Sequence, residues 1–251
     1  MNTLTISNVS HAFTGLQAVS NFSLEVNTGE IIGIIGPNGA GKTTVFNVLC
    51  GIYSLQHGTI HLDDKCLHGL PVYQIMRAGI ARTFQTIRLF KALSVLDNVL
   101  IAIRNTYQIS SALLKNKLFK QQEQEAMAKA FQLLQRFELA RYMNNRACDL
   151  PYGFQRRLEI ARALATQPKV VLLDEPACGM NPSEAKDLAL LIREIQQEEK
   201  LAILLIDHQM PFVMSLCQRI FVLNFGKIIA MGDPDTICRN SAVIESYLGE
   251  A

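Results

Sequence analysis

An α/β fold with a parallel core is predicted by three features of the chain. The first is Gly36-Pro37-Asn38-Gly39-Ala40-Gly41-Lys42-Thr43-Thr44, which follows the apolar run Ile31 to Ile35 and precedes a helical pattern. The second is a β-α-β unit, in which the apolar strands Val170 to Leu173 and Ala202 to Ile206 bracket a helix carrying Leu188, Leu191, Ile192 and Ile195. The third is a helical stretch from about 86 to 165, where Ala126, Ala130, Leu133, Leu134 and Phe137 recur at helical spacing between polar residues.

The opening residues 3 to 35 read as β-rich, with Leu4-Thr5-Ile6, Val19 to Val26 and an Asn27-Thr28-Gly29 turn. Residues 43 to 50 form a helix that Gly51 stops, and Thr59 to Leu62 with the Asp63-Asp64 turn resume strand character. Asn181-Pro182-Ser183-Glu184 supplies an N-cap, a proline at the first helical position and an acid at the third, which sets the start of the helix within the β-α-β unit. Ile220 to Leu223 and Lys227 to Ala230, joined through Asn224-Phe225-Gly226, read as a hairpin.

The chain has 251 residues, 49% of them hydrophobic, enough for a sizeable core. Lys plus Arg number 24 against 22 Asp plus Glu, and a net charge of +2 gives no broad electrostatic reason to bind nucleic acid. Apolar runs such as Ala202 to Ile206 are far below the ~20 residues of a membrane span. Met1-Asn2-Thr3-Leu4 lacks the basic flank and apolar stretch of a signal peptide, so the chain is expected on the cytoplasmic side. Cys50, Cys66, Cys148, Cys178, Cys217 and Cys238 show neither a C-x-x-C pair nor a His partner pattern, and read as reduced, buried small hydrophobes.

The glycine-rich segment matches G-x-x-x-x-G-K-[ST], in which backbone N–H groups and a helix N-terminus turn toward phosphate oxygens. Lys42 is expected against the β- and γ-phosphates and the Thr43 hydroxyl on Mg²⁺. Asp174 and Glu175 end an apolar strand, where ligands of a parallel sheet gather. Asp174 is expected to hold Mg²⁺ directly or through water, and Glu175 to polarise a water attacking the γ-phosphate. His208 leaves the same sheet edge and could contact the γ-phosphate. Gln85 could coordinate Mg²⁺ or its water from a loop, and Phe13 could stack on adenine or fill the core. Residues 150 to 164 run from a Gly-containing loop into an amphipathic helix, a second anion-binding helix start or a plain cap with a solvated arginine face.

These elements in this order resemble the ATP-binding subunit of an ABC transporter over nearly the whole chain, with Gln85 as the loop glutamine, residues 150 to 164 as the signature segment, Asp174 and Glu175 as the Walker B pair and His208 as the switch histidine. The resemblance implies a P-loop NTPase with a RecA-like core and an antiparallel β subdomain (1–85 and 166–251) and an inserted helical subdomain (86–165). It implies ATP and Mg²⁺ as cofactors and a second, homologous or identical cassette paired head to tail, with Gly153 facing the partner's ATP. It also implies separate transmembrane permease subunits contacted near Gln85 and Arg88-Leu89-Phe90, and a position on the cytoplasmic face of the membrane. Ala81-Arg82-Thr83-Phe84-Gln85, Arg88-Leu89-Phe90, Tyr152-Gly153, Gly179-Met180-Asn181-Pro182 and the ending Tyr247-Leu248-Gly249-Glu250-Ala251 look like the Liv-type importers of branched-chain amino acids, which work with an external binding protein. Urea and amide importers and lipopolysaccharide export ATPases are similar relatives.

Where the family's signature reads Leu-Ser-Gly-Gly-Gln, this chain has Leu150-Pro151-Tyr152-Gly153-Phe154. A missing hydroxyl contact to a charged group is worth ~1.5 to 3 kcal/mol, roughly ten- to a hundredfold in rate, so ATP binding with modest turnover is expected. A regulatory cassette with weak hydrolysis, or a soluble switch ATPase acting on ribosomes or DNA, are the alternatives; the latter normally carries two cassettes or long coiled coils, and neither is found here.

Overall fold

A computed structural model describes residues 2–104 and 117–248. Met1 and the Gly249-Glu250-Ala251 end of the C-terminal motif lie outside the described residues, as does 105–116 within the expected helical subdomain.

The strands fall into two sheets. β1 (Asn2–Phe13), β2 (Leu16–Asn27), β4 (His57–Leu62) and β5 (Lys65–Cys66) form an antiparallel sheet in the order β2-β1-β4-β5. Alternation in β2 places Phe22, Leu24 and Val26 inward and their neighbours outward, as expected for a sheet with one wet face. The second sheet runs β10-β9-β3-β8-β7-β6. It is built from β3 (Ile31–Ile35), β6 (Ile80–Arg82), β7 (Val170–Asp174), β8 (Ala202–Ile206), β9 (Arg219–Asn224) and β10 (Lys227–Gly232), parallel throughout except for the β9–β10 hairpin. Every residue of β3, β7 and β8 is buried, which accounts for their unbroken apolar sequence.

Helix α1 (Lys42–Leu49) follows β3, and α2 (Val72–Ala78) leads into the short β6. Next come α3 (Val95–Arg104), α4 (Lys117–Arg136) and α5 (Tyr152–Leu164). The predicted stripe is real: Ala126, Ala130, Leu134 and Phe137 are fully buried, and Leu133 is half-buried beside them. Helix α6 (Pro182–Glu199) connects β7 to β8, and α7 (Met210–Leu216), α8 (Pro234–Cys238) and α9 (Ser241–Leu248) complete the chain.

Three local readings need correction. The span from 86 is not helical throughout: between β6 and α3 the chain is irregular, because backbone groups of Phe84, Arg88 and Phe90 bond to side chains of Glu159 and Asn98 instead of to a helix. Helix α2 and strand β6 were not anticipated, being too short to show a period. Of the six cysteines only Cys50 and Cys217 are buried, and burial pushes their thiols up to about 11 and about 12; Cys66, Cys148 and Cys238 are exposed.

The start of α6 is as the sequence predicts. Asn181 Oδ1 accepts the Glu184 N–H at 2.9 Å, and Glu184 Oε2 accepts the Asn181 N–H at 3.0 Å, closing a capping box. Substituting Asn181→Ala removes one of these bonds and is expected to lower stability by about 1 kcal/mol, read as an earlier urea midpoint with an unchanged slope.

Candidate nucleotide-binding and hydrolytic site

The phosphate loop leaves β3 with its backbone pressed against neighbouring chain. Gly36 has φ +147° and a Cβ there would lie 2.0 Å from the Leu223 carbonyl oxygen; Gly41 has φ +103° and a Cβ would lie 2.3 Å from that of Ala18. Side chains are excluded at both points, so these glycines are required by packing as well as by backbone angle. The loop is held by Ala40 N–H to Pro37 O at 3.2 Å and Gly226 N–H to Ala40 O at 2.9 Å. Lys42 Nζ bends back over the loop and donates to the Gly36 and Pro37 carbonyls at 2.6 and 2.7 Å. Asn38, Gly39 and Thr43 are exposed, and Thr43 and Thr44 stand in the first turn of α1.

The three residues expected to handle water and γ-phosphate come together on one carboxylate. Gln85 Nε2 donates to Glu175 Oε2 at 2.9 Å, and His208 Nδ1 stands 3.8 Å from the same oxygen. Glu175 reaches this place because its backbone turns left-handed at the end of β7, with φ +49°. That conformation costs ~1–2 kcal/mol for a residue with a Cβ, and the Glu175 N–H bond to Ile206 O at 2.7 Å helps offset it. The His208 side chain is 60% exposed, so its ring can meet a ligand from solvent.

Asp174 is buried and its backbone N–H donates to the Thr83 hydroxyl at 3.2 Å. Burial raises its carboxyl above the ordinary aspartate range, while the Arg82 guanidinium, 2.7 Å from Oδ2, pulls it back down. Asp207 was not singled out from the sequence, yet it shapes the same edge: Oδ2 accepts the Ala177 N–H at 3.2 Å and Oδ1 the Gln209 N–H at 2.9 Å. Its carboxyl is raised by burial against the pull of those two amides. Phe13 ends β1 at 38% exposure, its ring edge-on to His11 at 4.7 Å and to Tyr53 at 5.1 Å.

Gly153 is not brought to the phosphate loop. It lies one residue into α5, where a Cβ would sit 3.6 Å from Glu184 Oε1, beside the start of α6. The nearby Tyr152 ring lies 3.0 Å from where a Gly179 Cβ would be. Phe154 packs tilted against Tyr142 with centroids 5.1 Å apart, which explains an aromatic where the family has glutamine.

The solvated-arginine reading of α5 fails at Arg156, which is fully buried. Nη1 donates to Phe84 O at 2.7 Å and Glu159 Oε2 at 2.9 Å, and Nη2 to Gln85 O at 2.8 Å and Tyr152 Oη at 3.0 Å. Glu159 Oε1 in turn accepts the N–H groups of Phe84 and Arg88 at 3.3 and 3.2 Å. One buried ion pair thereby fastens the loop that carries Gln85 to the helix that carries Gly153. No local signal marks it, since Arg and Glu three apart on a helix usually form a surface pair.

Among the described residues no helix is long and apolar enough to cross a membrane. The sequence pattern of the family described as ABC transporter matches residues 19–178, and that of the branched-chain amino acid ATP-binding cassette transporters matches residues 227–251. The chain is 47% identical over 250 residues to the high-affinity branched-chain amino acid transport ATP-binding protein LivG of Salmonella typhimurium, covering 99% of this chain and 98% of that protein. BraF of Pseudomonas aeruginosa, of the same description, is 44% identical with the same coverage. The lipopolysaccharide export ATP-binding protein LptB of Escherichia coli is 35% identical over 100% of this chain and 98% of its own. A solved ATP-binding cassette of an ABC transporter in its ADP conformation superposes with a TM-score of 0.86 at 30% identity over 99% of both chains. Matched by the ABC transporter pattern over residues 19–178 and by relatives 35–47% identical over nearly its whole length, the chain belongs to the ABC transporter family and is an ATP-binding cassette.

Proposed function

We propose that this cassette binds and hydrolyses ATP to drive the import of branched-chain amino acids. The convergence of Gln85, Glu175 and His208 on one carboxylate oxygen carries the hydrolytic reading, and the near-complete overlap with LivG and BraF supports the substrate class. LptB, at 35% identity, makes lipopolysaccharide export the second reading.

In this reading the N–H groups of 36–44 and Lys42 hold the phosphates and Phe13 meets the adenine. Thr43, Gln85 and Asp174 offer oxygen donors suited to Mg²⁺. When bound, Mg²⁺ neutralises charge developing on the phosphate oxygens. Glu175 accepts a proton from the attacking water as its oxygen bonds to the γ-phosphorus and the bond to ADP breaks. Gln85 holds the Glu175 carboxylate, and His208, exposed beside the same carboxylate, contacts the γ-phosphate.

The cassette pairs head to tail with a second cassette, whose ATP meets Gly153 and the start of α5. No side chain caps that helix, so its first-turn amides are offered to an anion without the signature serine. Phe90, 47% exposed on the loop fastened by Arg156, is offered to the separate permease subunits on the cytoplasmic face of the membrane. An external binding protein supplies the substrate, and 86–165 acts as the helical subdomain that moves with that loop.

ATP turnover of the complex purified with its permease subunits tests the assignment. Glu175→Gln is expected to lower turnover by about 10²- to 10⁴-fold with ATP still bound; unchanged turnover would transfer hydrolysis to the partner cassette. Gly36→Ala should abolish nucleotide binding in equilibrium dialysis, because the loop cannot keep its path. Arg156→Met strands the buried Glu159 charge and is expected to cost about 3–5 kcal/mol in chemical unfolding.

A further inference from the structure

Asp174 is 2% exposed, and an ionised carboxylate so placed needs a compensating partner. Arg82, at the end of β6, supplies it, but its guanidinium does more than neutralise. Nη2 donates to Asp174 Oδ2 at 2.7 Å, while Nη1 donates to Asn47 Oδ1 at 2.7 Å. The guanidinium carbon lies 5.5 Å from the Phe46 ring centroid and 5.0 Å from that of Phe84, and the side chain is 6% exposed. Two acceptors and two aromatic rings therefore determine where the planar fork sits.

Asn47 stands on α1 one turn beyond Thr43, at the i+4 spacing that places both on one helix face. Thr43 and Asp174 are two of the three groups assigned to Mg²⁺, they stand on different elements, and Arg82 ties those elements together. We propose that Arg82 is a positioning residue that, through Asn47 and Asp174, sets the geometry of the Mg²⁺ site. The inference rests on the Mg²⁺ assignment made under Proposed function. Arg82 engages Oδ2 and so turns Oδ1 into the oxygen offered to the cation or its water. Thr83, the next residue, holds the Asp174 backbone, and the chain then runs through Phe84 to Gln85. One strand end thus organises all three oxygen donors.

Simple charge compensation needs only the contact between Arg82 and Asp174, whereas positioning needs Asn47 as well. The affinity of the full chain for ADP, measured by calorimetry in excess Mg²⁺ and in EDTA, separates the two. Asn47→Ala and Arg82→Lys are expected to bind ADP in EDTA within about twofold of wild type, and to lose about tenfold of the Mg²⁺-dependent gain in affinity, the usual loss for an outer-shell partner of a metal. With Mn²⁺ in place of Mg²⁺, the electron paramagnetic resonance lines of the bound ion should broaden in both variants. Folded Asn47→Ala protein that keeps the full Mg²⁺ gain overturns the inference, and this variant serves the test even if Arg82→Lys does not fold. A wild-type chain whose ADP affinity ignores Mg²⁺ overturns the metal assignment itself, and the inference with it, before any variant is made.

Discussion

The parallel register of three neighbouring strands is the constraint on which the site depends. Ile34 of β3 and Asp174 of β7 both pair with Ile206 of β8, so the three strands stop at one level. Gly36, Glu175 and His208 leave the sheet within two residues of that level, and the phosphate loop, the acid and the histidine must share an edge. A slip of one residue in any strand would turn its side chains to the opposite face and carry its functional residue away from the others. The unbroken burial of β3, β7 and β8 makes such a slip costly, since both faces of each strand are packed.

Around that edge two buried arginines do different work. Arg82 faces Asp174 on the phosphate side of the sheet, and Arg156 faces Glu159 beneath the Gln85 loop. Buried ion pairs are weak sources of stability, because desolvation consumes most of the Coulomb gain. Their value lies in geometry: a guanidinium with several fixed acceptors tolerates few arrangements. Both terminal nitrogens of Arg156 are engaged, by two carbonyls, a carboxylate and a phenol, so the backbone around 84–88 and the start of α5 move together or not at all.

The altered signature segment shows how a departure from a family pattern can be absorbed. The hydroxyl of the family's serine has no counterpart at Pro151, but Tyr152 turns its hydroxyl to Arg156 and its ring to Gly179, and Phe154 packs on Tyr142. The changed residues are thereby committed to holding α5 in place, while the helix N-terminus beside Gly153 carries no side-chain cap.

The sequence alone determined what depends on adjacent residues: the phosphate loop, the cap of α6, the continuous apolar strands and the order of motifs that marks the family. Each is a local pattern whose chemistry is complete within a few residues. The tertiary structure alone decided what depends on partners distant in the chain. It placed Gln85 and His208 on the same oxygen of Glu175, buried Arg156 where helical spacing suggested a solvated face, and brought Arg82 between Asn47 and Asp174. Those choices follow from strand order and packing, which no short window of residues encodes. The same reason left α2 and β6 unread, and exposed three cysteines whose small apolar character suggested burial.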